Sequence, residues 1–195
     1  LIENVNFGDN GLRDEVLVRL TFECGLRAQE CAGLQWKRHI LTASGKVGAY
    51  LRITSDIAKG ENNRIVEREI PISSRLKRAL ENLRARRPED QFVIYALANH
   101  RKFTNGWKNR APKGACDPNA LAQYVRRLYA AHSYKGMTSH SGRRTFITVA
   151  GRTANKHGAS IRDVQLLAGH RSLETTASYI EPSEHANKLV EGLYE

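Results

Sequence analysis

Three short stretches of this sequence gather residue types that handle phosphate. The first, Gly25-Leu26-Arg27-Ala28-Gln29-Glu30, sets an arginine in a joint between two short helices, with an acid three residues on. A guanidinium group is a planar fork of donors matched to the non-bridging oxygens of a phosphate, and Glu30 behind it would fix its direction. Taken alone, the same pair also reads as a surface Arg–Glu pair of little energetic weight. The second stretch, Thr138-Ser139-His140-Ser141-Gly142-Arg143-Arg144, puts His140 just before a helix start and Arg143 one turn in. The free amides of a helix N-terminus already favour an anion, and both side chains could converge on it; alone, His140 also reads as a half-buried structural histidine. Arg144 lies about 100° further round the helix. The third stretch runs from Gly169-His170 through Thr175-Thr176 to Tyr179. A phenol titrates near ~10, so it needs cations or a base beside it to act as a nucleophile. By itself, Tyr179 reads as packing.

Helices are needed to hold these stretches in place, and the pattern supplies them. Leu12, Val16, Leu20 and Cys24 form a stripe at helical spacing over residues 10–24, with Asn10 as a cap and Gly25 as the stop. A second helix covers 28–34. Residues 36–72 read as a small antiparallel sheet, with strands at Trp36–Leu41, Gly48–Thr54 and Arg64–Ile72 and turns at Ser44-Gly45 and Lys59–Asn63. Further helices are expected over 74–86, 117–132, 141–153, 160–168, 172–180 and 182–193, with Ser160 and Ser172 as caps. The fold class is therefore mainly α with a small antiparallel sheet, in a single domain over 1–195.

The 195 residues carry 31 Lys and Arg against 20 Asp and Glu, a net charge of +11, which suits a polyanionic partner. Residues 99–117 concentrate Arg101, Lys102, Lys108, Arg110 and Lys113 in a loop, either solvated or touching phosphates. The three cysteines, Cys24, Cys31 and Cys116, form no CxxC and fit a reducing compartment better than a disulfide framework or a zinc site. The start of the chain lacks the pattern of a signal peptide, and no apolar run is long enough for a membrane span.

Together, GLRxxE, HxxR and GH…TTxxY, in this order, resemble the tyrosine recombinase (phage integrase) family over nearly the whole chain, as its C-terminal catalytic domain. The departures are small: RRTF follows the histidine box where many members have RHTF, Ala168 precedes Gly-His, Arg38-His39 stand where an acid is frequent, and Glu181-Pro182 follow Ile180 where a histidine is often found. The resemblance implies that Tyr179 attacks a DNA phosphate to form a 3′-phosphotyrosyl intermediate. It implies Arg27 and Arg143 as phosphate clamps, His170 as a phosphate donor and His140 as proton acceptor and phosphate ligand. Lys59, in the hairpin turn, becomes the general acid for the 5′-hydroxyl, with Lys46 on the other turn as its rival, and Glu30 orients Arg27. Arg144 and Arg171 join the basic loop as DNA-contact candidates.

No metal or organic cofactor is implied, because two guanidinium groups do the work of charge stabilisation. The implied partners are double-stranded DNA and further recombinase subunits, a tetramer on paired sites, with no membrane. The implied setting is the cytoplasm of a bacterium, with the gene bacterial or phage-borne. A chain that lacks an initial Met and enters a helix almost at once reads as a fragment without the family's N-terminal core-binding domain. The helix over 182–193, with Ala186, Leu189, Val190 and Leu193 on one side, could cover its own core or be exchanged between subunits. Two other readings remain at this point: a type IB topoisomerase, and a DNA-binding protein that has kept the fold without the chemistry.

Overall fold

Helix α1 (Gly11–Glu23) is buried around most of its circumference, Val16, Leu17, Val18 and Leu20 all being closed to solvent. In the computed structural model, which describes residues 10–58, 67–96 and 114–180, it runs through the middle of the fold. Asn10 does not cap it through its side chain: its backbone lacks the extended geometry a capping oxygen needs. Helix α2 (Ala28–Gly33) follows after the Gly25–Arg27 joint.

The stretch expected as a first strand is helical instead. Trp36–Ile40 forms a π-helical turn closed by Leu41 N–H donating to the Trp36 carbonyl at 2.8 Å. Trp36, His39 and Ile40 face inward at i, i+3 and i+4 while Lys37 and Arg38 face water, which is a helical pattern. In this turn the Gln35 N–H donates to His39 Nδ1 at 2.8 Å, and His39 Nε2 lies 3.0 Å from Thr54 Oγ1, which in turn donates to Asp56. The sheet is thus two antiparallel strands among the described residues, β1 (Tyr50–Ile53) and β2 (Arg68–Pro71), paired Leu51 to Ile70 and Ile53 to Arg68. As the alternation predicts, Leu51 and Ile53 are buried while Tyr50 and Arg52 face solvent. The Ser44-Gly45 turn forms too, with Thr42 N–H bonded to the Lys46 carbonyl at 2.8 Å.

Helix α3 (Ser74–Arg86) is capped by Ser73 and buries Leu76, Leu80 and Leu83 against α1. Helix α4 (Pro118–Ala131) starts from an Asp117 cap and packs on α2. Helix α5 (Ser141–Thr153) packs on α1 and leads through a 3₁₀ turn (Ala154–His157) to α6 (Ile161–Ala168), capped reciprocally by Ser160 and Asp163. Helix α7 (Leu173–Ala177) is capped by Ser172 and is shorter than expected: Ser178–Ile180 close it as a tightening turn, Tyr179 N–H reaching the Thr176 carbonyl at 3.1 Å.

Two apolar cores result. The larger is built from α1–α4 and the sheet; the smaller is Ile147, Ala154, Val164 and Ala168, with Phe146 and Tyr179 packed against it. All three cysteines are buried free thiols, and burial pushes Cys24 up to about 12. Among the described residues no helix is long and apolar enough to cross a membrane. The turn expected at 59–63, the basic residues at 101–113 and the helix over 182–193 lie outside the described residues.

One polar assembly is built into the larger core. Arg13 is wholly buried, donates to Asp14 at 2.7 Å and to the Tyr95 carbonyl at 2.9 Å, and lies over the rings of Tyr95 and Tyr124; the Tyr124 hydroxyl also donates to Asp14. It ties α1 to α4 and to the segment after α3. Removing one partner of such a pair leaves a charge stranded in a poorly polarisable place. Asp14→Ala is therefore expected to lower the unfolding free energy by about 3–5 kcal/mol, and Asp14→Asn by clearly less, both read from urea denaturation midpoints.

Candidate active site

The Gly25–Arg27 joint holds its arginine through the acid three residues on. Arg27 N–H donates to Glu30 Oε2 at 2.9 Å, and its guanidinium Nη1 to Oε1 at 3.1 Å. Glu30 is wholly buried and Arg27 keeps only 22% of its side-chain exposure, so this is no surface pair. The joint itself turns at Gly25, whose φ of +63° and closeness to the Phe146 ring exclude a side chain: a Cβ there would lie 2.4 Å from Phe146 Cδ1. Phe146 belongs to α5, so the turn also sets where α5 lies.

On α5, Arg143 is buried and uses its fork inward. Nη1 donates to the Gly25 carbonyl and Nη2 to the Ala168 carbonyl, each at 2.6 Å. One guanidinium group thereby bridges the Arg27 joint and the end of α6. Burial, with Arg27 and Arg68 nearby, pulls Arg143 down to about 10; Glu30 and Tyr179 act the other way. It remains a cation at neutral pH.

The turn after α6 carries His170. Gly169, with φ +63°, ends the helix, and buried Gln165 donates to the carbonyls of His170 and Arg171 at 3.0 Å each, fixing the turn from beneath. His170 Nδ1 lies 3.0 Å from Thr176 Oγ1. Tyr179 stacks on the His170 ring with centroids 5.7 Å apart and an interplanar angle of 24°. Its main-chain carbonyl accepts from Thr148 Oγ1 at 3.1 Å, so α5 anchors the tyrosine's backbone. Burial, and then the charges of Arg143, Arg27 and Arg68, bring His170 down to about 4, leaving it neutral at pH 7.

Arg27, Glu30, Arg143, His170 and Tyr179, 152 positions apart at their extremes in the sequence, therefore meet in one place. His140 stands at the N-cap position of α5, exposed, with its N–H bonded to Thr138 Oγ1 at 3.2 Å. Arg144 is exposed on α5, Arg171 is exposed in the turn between α6 and α7, and Lys46 is exposed in the Thr42–Lys46 turn. Lys59, Arg101, Lys102, Lys108, Arg110 and Lys113 lie outside the described residues. Among the described residues no group of His, Cys, Asp and Glu has the makings of a metal site. What the assembly offers is a seat for an anion: protonated guanidinium groups and a neutral ring donor beside a phenol.

Two members were not foreseen. Arg68, at the start of β2, donates from Nη2 to both Glu30 oxygens at 3.0 Å and from Nε to the Leu167 carbonyl at 2.9 Å. Its signal was a charge on the same strand face as Ile70, an inward position. Thr176, wholly buried and holding the His170 ring, gave no signal beyond its place in the third motif.

A model of the phage integrase family matches residues 1–185. The chain belongs to the phage integrase family. The tyrosine recombinase XerC of Myxococcus xanthus is 31% identical over 183 residues, covering 88% of this chain and 51% of that protein. XerC of Pediococcus pentosaceus is 26% identical over 173 residues, covering 88% of this chain and 50% of its own length. The chain thus spans about half the length of these curated relatives. The fold is shared with the Tn1549 transposon integrase in complex with a circular intermediate DNA, at a TM-score of 0.67 and 17% identity over 98% of this chain and 62% of that one. It is shared also with the XerH site-specific recombinase bound to difH substrate, at a TM-score of 0.64 and 17% identity over 100% of this chain and 50% of that one.

The low value of His170 in this integrase-family site has a thermodynamic consequence. The folded value, about 4, lies below the ordinary 6.5, so the unfolded chain takes up a proton first as pH falls. His170 then contributes stability in full above about 6.5 and loses it progressively as pH drops toward the folded value. The ring resonances of His170 are expected to titrate near pH 4. His170→Gln should flatten the loss of stability between pH 7 and pH 4.5, measured by urea unfolding at each pH.

Proposed function

We propose that this chain is the DNA-cleaving and rejoining part of a tyrosine recombinase, working through a 3′-phosphotyrosyl intermediate on Tyr179. The observation that supports this most is the stack of Tyr179 on His170, within electrostatic reach of Arg143, in a chain of the phage integrase family. The likeness to an integrase and a recombinase bound to DNA supports double-stranded DNA as the partner.

In this reading the Tyr179 oxygen forms a bond to the scissile phosphorus as the bond to the 5′ oxygen breaks. The phenolic proton passes to His140, and the departing 5′ oxygen takes a proton from Lys59. Without that proton an alkoxide would be a poor leaving group. Arg27 and Arg143 hold the non-bridging oxygens, whose negative charge grows in the pentacoordinate transition state. His170, neutral and held at Nδ1 by Thr176, offers Nε2 to one of those oxygens. The phosphotyrosine bond keeps the energy of the phosphodiester, so a 5′-hydroxyl of another strand reverses the step with no external energy source. Strand exchange then calls for further subunits, a tetramer on two paired sites. Integration or excision of a mobile element fits this chemistry.

The complete protein is expected to become covalently trapped on a nicked suicide substrate carrying its cognate site. Tyr179→Phe should give no adduct. Arg143→Lys should slow single-turnover cleavage on the order of 10²-fold or more, with little change in DNA binding by gel shift. An adduct formed by the Tyr179→Phe protein would overturn the assignment of the nucleophile.

A further inference from the structure

Arg68 makes contacts that no motif accounts for. It opens β2, yet its side chain keeps only 5% of its exposure. Nη2 is shared between both oxygens of the buried Glu30, the carboxylate that also holds Arg27 by its backbone and its guanidinium group. Nε reaches across to the Leu167 carbonyl in the last turn of α6. The guanidinium group lies against Gly169: a Cβ on that residue would fall 2.8 Å from Nη1 and 3.0 Å from Cζ. Arg68 thus touches the support of Arg27 on one side and the turn that presents His170 on the other. The first lies next to Leu26 and Cys31 of the larger apolar core, the second next to Ala168 of the smaller.

We propose that Arg68 is a positioning residue for strand cleavage, setting the Arg27–Glu30 pair and the Gly169–His170 turn in register with each other. The proposal rests on the reading of this site as one for phosphotyrosyl chemistry. Arg68 does this in two separable ways. Its fork fixes geometry, because Glu30 and the Leu167 carbonyl are bonded by different nitrogens of one rigid plane. Its charge acts on His170, which faces Arg143 from α5, Arg27 from the joint before α2, Arg68 from β2 and the Tyr179 phenol after α7, with Arg171 next to it in the chain. Burial, and then these positive charges, keep that ring neutral, so that it serves as an N–H donor without adding a further buried cation.

Two substitutions separate these parts. Arg68→Lys keeps the charge and loses the fork; Arg68→Met loses both. In the full chain, Arg68→Met should raise the pH at which the His170 ring titrates by NMR, while Arg68→Lys leaves it close to the original. Both should slow single-turnover cleavage of the suicide substrate about tenfold or more at saturating DNA, with gel-shift affinity held within about twofold. The acid limb of the Arg68→Met rate profile should move upward in pH with His170. Folded variants that cleave at the original rate would overturn the proposal, as would an unmoved His170 titration in Arg68→Met. Should Arg68→Met not fold, the cleavage rate of Arg68→Lys decides alone. If instead the unsubstituted protein traps no adduct on a validated site, the phosphotyrosyl reading fails; the His170 titrations then still report whether the Arg68 contacts act as described.

Discussion

Glu30 lies out of contact with solvent with both carboxylate oxygens engaged, by Arg27 and its own helix joint on one side and by Arg68 on the other. Around it stand guanidinium groups that would repel one another if left to themselves. Two like charges about 8 Å apart cost about 2 kcal/mol even at an effective dielectric near 20. Both partners of the carboxylate are strand- or joint-borne, whereas Arg143 is satisfied differently, by two backbone carbonyls at helix ends. Carbonyl dipoles take up its hydrogen bonds without cancelling its charge. The site therefore stays electropositive where a phosphate would be received, and its neutralising carboxylate stays behind.

That arrangement dictates much of the surrounding fold. The Gly25 carbonyl is available to Arg143 because the chain turns there in a left-handed conformation, and the Ala168 carbonyl because α6 ends there. The small core of α5–α7 has few residues, Ile147, Ala154, Val164 and Ala168, and is joined to the larger body by the Arg68–Leu167 and Arg143–Gly25 hydrogen bonds and by Leu167, which packs against the larger core. Tyr179 closes this small core at its edge, so its ring is at once part of the packing and part of the site. A residue held this way gives up little rotamer freedom on engaging a ligand, since most was already lost on folding.

Most of the helices and the fold class were legible, because apolar spacing and cap residues survive in any context. Ser74–Arg86 and Ser141–Thr153 are bounded as their stripes and neighbours imply. The segment Trp36–Leu41, expected as a strand, is helical because its inward positions 36, 39 and 40 have helical spacing. The site residues of the three motifs were readable as types and spacings. What could not be read was the partner of each: that Arg143 turns to carbonyls, that Thr176 holds the imidazole, and that Arg68 reaches Glu30 across 38 positions of chain. The Arg68 contacts depend on how β2 lies against α6 and the Arg143 contacts on how α5 meets the Gly25 joint and α6, and no local pattern encodes those approaches. An arginine on the inward face of a strand was the one visible hint.

The π-helical turn after Gln35 has an effect of its own. Because a backbone N–H points at Nδ1 of His39, the neutral ring must keep its hydrogen on Nε2 and pass it toward Thr54, which passes its own toward Asp56. A second hydrogen on Nδ1 would confront that amide head-on, and burial already pulls the ring's affinity for it down. His39 consequently acts as a one-way dipole, its hydrogen bonds running from the Gln35 amide through the ring to Thr54 and Asp56, and this polarised chain is what wires the corner that launches β1.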